Sequence, residues 1–104
     1  MTTTDRLATM RIMATKQPDN PLARFGLANE LLKVGLLHEA VAELSAYLSL
    51  YDDEGNGWLR YADALQKLGR ADDASAAIVS GIAAAKRYGH AALVTEFEAL
   101  ADQT

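Results

Sequence analysis

Residues 52–63 carry side chains that could gather round a cation. Asp52, Glu54, Asn56, Gly57 and Asp63 fall at positions 1, 3, 5, 6 and 12 of a calcium-binding loop, with Leu59 at the usual apolar place. Such a loop needs a bidentate Glu at its end and prefers Asp or Asn third. Those places hold Asp63 and Glu54 here, so calcium binding stands only as a minor alternative.

Other groups with chemical potential are scattered. His38 and His90 have no second histidine at metal spacing, which favours solvated or capping roles. The pairs Asp52-Asp53 and Asp72-Asp73 are adjacent, and neighbouring helical residues point in different directions, so neither pair makes an acid/base dyad. There is no cysteine, hence no thiolate nucleophile and no cysteine metal site. No Gly-rich phosphate loop, nucleophile elbow or Ser-His-Asp set is visible. The expectation is a protein that is not an enzyme, with no catalytic residues, no cofactor and no metal.

The elements that would position these groups are helical. Apolar residues recur at helical period, strand signals are nearly absent, and Ala and Leu are abundant. The spacing predicts helices over 5–16, 21–34, 37–51, 56–68, 71–87 and 90–102. Asn20 and Pro21 suit the N-cap and first position of the second helix. Gly35 and Gly69 suit C-caps that need positive φ. Asn56 suits the N-cap of the helix led by Trp58. Asp72 and Asp73 fit a first turn, where the helix dipole favours negative charge.

These helices repeat. WLRYADALQKLGRADDA, from Trp58 to Ala74, echoes RFGLANELLKVGLLHEA, from Arg24 to Ala40, at a spacing of 34 residues. In the second stretch Trp58, Tyr61, Ala62 and Leu65 precede Gly69, followed by Ala74, Ile78 and Gly81. In the first, Arg24, Leu27, Ala28 and Leu31 precede Gly35, followed by Ala40, Leu44 and Tyr47. A helix–turn–helix unit of this length with small residues at these places resembles the tetratricopeptide repeat (TPR) family. Antiparallel helices approach closely only where small residues face each other. Ala28 with Ala40, and Ala62 with Ala74, would meet that need, and Gly81 would admit the following helix.

The resemblance implies an all-α fold: antiparallel helix–turn–helix repeats stacked as a short right-handed α-solenoid of about six helices. It divides a single domain, 1–104, into a half-repeat helix (1–20), two repeats (21–54 and 55–88) and a C-terminal capping helix (89–104). Departures are Arg24 in place of an aromatic and Tyr47 in place of alanine, which predicts a ring partly outside or a splayed repeat junction. Met10 and Met13 take core places of the half-repeat, and Met1 reads as core or terminus. Leu93, Phe97 and Leu100 form one stripe on the last helix, with Glu96, Glu98 and Asp102 turned elsewhere.

By the same resemblance the first helix of each repeat lines a concave groove that holds a segment of a partner protein. Its positions carry over to Leu22, Phe25, Asn29, Leu32 and Lys33, and to Asn56, Leu59, Asp63, Gln66 and Lys67. Phe25 and Leu59 would be apolar anchors, Asn29 a donor to peptide backbone, and Lys33 with Lys67 a holder of carboxylate. The carboxylate clamp of some family members is not expected, because Phe25 and Arg60 replace two of its residues. In the plainer alternative Leu22, Phe25 and Leu59 pack against the terminal helices, and both lysines are solvated charges near helix C-termini.

Charge limits the partners. The net charge of −4 lies wholly in the second half: residues 1–50 carry five basic and five acidic groups, residues 51–104 five and nine. No basic stripe offers itself to phosphate, so no nucleic acid is expected. The longest uncharged run, Ala74 to Ala85, is too short to span a bilayer. With no signal-peptide core near the start, the expectation is a cytoplasmic protein-interaction module, or a homo-oligomer built through the same faces. Replacing Ala62 or Ala74 with Leu is expected to cost about 1–3 kcal/mol by overpacking. An unchanged melting temperature would contradict the register.

Overall fold

A computed structural model of the protein describes residues 3–103. Met1 lies outside them. The described residues form six helices and no strand: α1 (Thr3–Lys16), α2 (Pro21–Lys33), α3 (Leu37–Leu50), α4 (Asn56–Lys67), α5 (Ala71–Arg87) and α6 (Ala91–Ala101). The fold is all-α, as the periodicity predicts. The helices fall into two compact units, one running to Tyr51 and the other beginning at Asp52.

Local chemistry sets where the helices stop. α2, α4 and α5 end in the same motif. Gly35, Gly69 and Gly89 adopt φ of 79°, 76° and 71°. The following residue in each case donates its N–H back to the third-last carbonyl of the helix: Leu36 to Leu31, Arg70 to Leu65 and His90 to Ala85. This is the Schellman closure, which only a residue tolerant of positive φ can make. At the start of α2, Asn20 Oδ1 accepts the Leu22 N–H at 3.0 Å and Pro21 follows at the first position, as expected.

The start of α4 departs from expectation. Asn56 is already helical, and its side chain turns to Glu54. The cap comes from Asp53, whose Oδ1 accepts the N–H groups of Gly55 at 2.7 Å and Gly57 at 2.9 Å. The carboxylate is almost wholly buried, and these donors satisfy it.

In the first unit α1 packs on α2 and α2 on α3. Leu27, Ala28, Leu31, Ala40 and Leu44 are buried there, with Leu7 and Ala14 from α1. The expected core role of α1 is thus filled by Leu7 and Ala14. Met10 is only partly buried against that core, and Met13 is 49% exposed, a correction to its expected place. The α1 stripe that turns inward is i, i+7, and Met13 falls one residue short of it. Tyr47 also corrects the expectation of a ring partly outside. It is buried and stacks on Phe25, with ring centroids 4.5 Å apart. Tyr51 also stacks on Tyr47, with ring centroids 5.7 Å apart. Arg24 replaces packing with polar ties, donating to the Pro18 carbonyl and pairing with Glu43 of α3 at 2.8 Å.

In the second unit α4 packs on α5 and α5 on α6. Ala62, Leu65, Ala74 and Phe97 have no exposed surface. Leu93 and Leu100 join Phe97 inside, while Glu96, Glu98 and Asp102 face outward. Gly81 is the contact point of three helices. A Cβ there would run into the Phe97 ring edge of α6 and lie 2.9 Å from Trp58 Cβ of α4. Gly81→Ala gains about 1 kcal/mol of helix propensity, yet overpacking a fixed ring costs about 1–3 kcal/mol. Urea denaturation is expected to show net destabilisation. A more stable variant would contradict the packing.

Candidate functional site

The positions expected to line a groove in the first unit lie on α2, and their surroundings differ. Leu22 is 79% exposed. Phe25 is half-buried in the stack with Tyr47, so its ring is structural as well as accessible. Asn29 is half-buried, and Leu32 packs on the core. Lys33 is exposed and pairs with Glu30 at 3.2 Å.

α1 runs antiparallel beside this face. Met10 meets Gly26, where an added Cβ would sit 3.3 Å from its Cε. Met13, Met10, Leu22, Ala23, Gly26 and Asn20 line an open pocket of about 180 Å³. That volume suits one apolar side chain and falls short of a cofactor or drug-sized ligand. Nearer the other end of the face, Arg6 Nε and Lys33 Nζ both approach Glu30 Oε1 at 3.2 Å. Glu30 is buried beneath them. On another side of α1, Arg11 makes a two-pronged pair with Glu39 of α3 at 2.7 and 2.8 Å. The Arg11 hydrogen bonds hold the Glu39 carboxyl below its ordinary pKa.

The positions expected to line a groove in the second unit lie on α4. Leu59 and Asp63 line an open recess with Arg60, Glu96, Ala99 and Leu100. Gln66 donates from Nε2 to the Leu100 carbonyl at 3.0 Å, beside the Gln103 N–H that the same carbonyl of α6 accepts. Lys67 pairs with Asp63 of its own helix at 2.9 Å. The plainer alternative therefore describes Leu59, which lies against the C-terminal helix, and Gln66, outside that alternative, is tied to the same helix. Each of the two lysines already has a carboxylate one turn away.

The calcium constellation is taken apart by its own backbone. Asn56 to Asp63 are helical, so they cannot wrap an ion. Asp52 Oδ2 accepts the Tyr88 hydroxyl at 2.6 Å and Oδ1 the Arg87 guanidinium at 2.8 Å. No group of three or more metal-ligating side chains gathers among the described residues. His38 and His90 are exposed and far apart in sequence. Among the described residues no helix is long and apolar enough to cross a membrane.

The sequence reading missed Arg6, Glu30 and Asp53. The Asp53-Glu54-Gly55 turn carries an Asp whose side chain can close an Asx-turn onto its own backbone, which is the signal for the cap. Arg6 meets Glu30 only through the packing of α1 on α2, which has no local signature. Comparison of the chain with protein-family models, curated proteins and solved structures finds nothing that matches.

The Asp52 cluster yields a titration. The Tyr88 hydrogen bond, aided by Arg87, holds the Asp52 carboxyl below its ordinary value. A depressed folded pKa stabilises at neutral pH, and that contribution fades as pH falls through the folded value. Carboxyl NMR is expected to place Asp52 below a normal aspartate, and Tyr88→Phe to move it up. A titration unchanged by the substitution would refute the tie.

Proposed function

We propose that this chain is a non-catalytic protein-interaction module of the tetratricopeptide type, which presents a preformed helical face to a segment of a partner protein. A cytoplasmic setting belongs to the same proposal. The observation that carries it is the exposed apolar face of the first unit. Leu22, a large apolar side chain at a position where such repeats meet their ligands, projects beside Met13 and the side-chain-sized pocket. Apolar side chains clustered on a surface cost free energy in water and mark contact sites.

The repeat reading has its own support. Two hairpins 34 residues apart bury alanines at matched places and close their first helices with matched Schellman glycines. The surroundings favour binding over chemistry. Among the described residues, Arg6, Glu30 and Lys33 near the face are tied to one another in ion pairs.

Self-association is a second reading, favoured by one observation. α6 turns Glu96 and Glu98 to water, as an end helix should. α1 instead leaves Ile12 and Met13 half exposed. Light scattering separates the readings: a monomer supports the partner-binding face, and a concentration-dependent dimer supports association through α1.

The test of binding is capture from native lysate with the natural chain and with Leu22→Asp. Phe25 is unsuitable for this purpose, because its ring holds Tyr47 in place. Leu22 is so exposed that the variant is expected to keep its stability within about 0.5 kcal/mol. Proteins recovered by the natural chain are expected to be lost with Leu22→Asp. Equal recovery by both would remove the first unit's face as the working surface.

A further inference from the structure

The face of the first unit is apolar at one end and charged at the other. Arg6, Met10 and Met13 follow each other at i, i+4 and i+7 on α1, so they share a stripe. Leu22, Gly26, Glu30 and Lys33 make the matching stripe on α2. The contacts of Met10 with Gly26 and of Arg6 with Glu30 put the stripes side by side. Leu22 and Met13 form the apolar end. At the charged end the two cations, Arg6 and Lys33, share the carboxylate of Glu30.

The depth of these groups matters as much as their number. The Glu30 side chain is 10% exposed, whereas Arg6 is 59% and Lys33 69% exposed. An approaching group therefore meets guanidinium and ammonium first and carboxylate last. Both cations are exposed enough to meet a new anion on their solvent side, and buried Glu30 stays paired as long as one of them still reaches it. A basic segment would meet like charge at that end, and a wholly apolar one would leave it unused.

Resting on the reading of the chain as a partner-binding module, we infer that this face takes an acidic–apolar protein segment, with one apolar side chain between Met13 and Leu22 and one carboxylate at Arg6 and Lys33. The separation follows from helix rise. Gly26 and Leu22 lie seven and eleven residues before Lys33, about 10–16 Å along the axis. An extended segment covers that span in about three to five residues. The carboxylate of the segment competes with Glu30 for the same two cations.

That competition gives the test a direction that a merely structural role would not. Random dodecapeptides displayed on phage are selected against the full chain, and the enriched peptides are synthesised and titrated by fluorescence anisotropy. The enriched peptides are expected to pair Leu, Ile or Met with Asp or Glu at that spacing. Lys33→Gln is expected to weaken them at least about fivefold, and rising salt to weaken them further. Glu30→Gln keeps the shape of the side chain and releases both cations, so it is expected to tighten binding at least about threefold. Circular dichroism verifies that each variant is folded.

Enriched peptides without acidic residues, or a Glu30→Gln variant that binds no better, would overturn the inference. If Leu22→Asp still abolished their binding, the partner-binding face itself would stand. Failure to enrich any peptide would count against both. A dimer that dissociates with Leu22→Asp would show that a second copy occupies the face, and would overturn the acidic segment.

Discussion

Two helices come close only where the side chains between them are small, and the core of each unit is arranged round that constraint. Ala28 and Ala40 in the first unit, and Ala62 and Ala74 in the second, have no exposed surface. Large residues then fill the flanks: Leu31 and Leu44 in one unit, Leu65 and Ile78 in the other. At Gly81 the constraint is tighter still, because even a methyl group would strike Phe97. A glycine in mid-helix weakens the helix in isolation. It is tolerated because the fully buried Phe97 ring removes far more apolar surface from water than the glycine costs.

With apolar burial set by the crossings, charge is left to tie elements together. Arg24 reaches Glu43, Arg11 reaches Glu39, and Arg6 with Lys33 converges on Glu30. Arg87 and Tyr88 hold Asp52, and Asp53 caps the start of α4. Most of these links are near the surface and add little stability singly, but they orient long side chains. On α1 and α2 they leave a stripe where apolar and cationic groups face outward together.

The fold was largely legible in the sequence because its signals are local. Pro21, Gly35 and Gly69 fix helix ends by backbone chemistry that needs no tertiary information, and the 34-residue echo marks Ala28, Ala40, Ala62 and Ala74 as buried. Errors arose where packing decides. Met13 was expected inside because its number fits the repeat, yet the inward stripe of α1 runs through Leu7 and Ala14. Tyr47 in place of the alanine of the resembled repeat predicts a ring partly outside or a splayed junction, yet Phe25 and Tyr51 give its ring a stack. Of the positions expected to line a groove, Leu22 and Lys33 are reachable on α2. Phe25, Leu59 and Gln66 are also engaged in packing or hydrogen bonds within their own units. The Arg6–Glu30 pair was invisible in sequence, since it joins residues that only the α1–α2 contact brings together.

The central claim is that the α1–α2 face is a working surface rather than unfinished core. Methyl-labelled methionine reports on it directly, because Met10 and Met13 both line the pocket. The decisive measurement is a methyl NMR spectrum of the full chain with and without the protein that it captures from its host. Met10 and Met13 resonances that shift or broaden on binding, with core methyls such as those of Leu65 unmoved, are the predicted result. Bound partner with both methionine signals unchanged would contradict it.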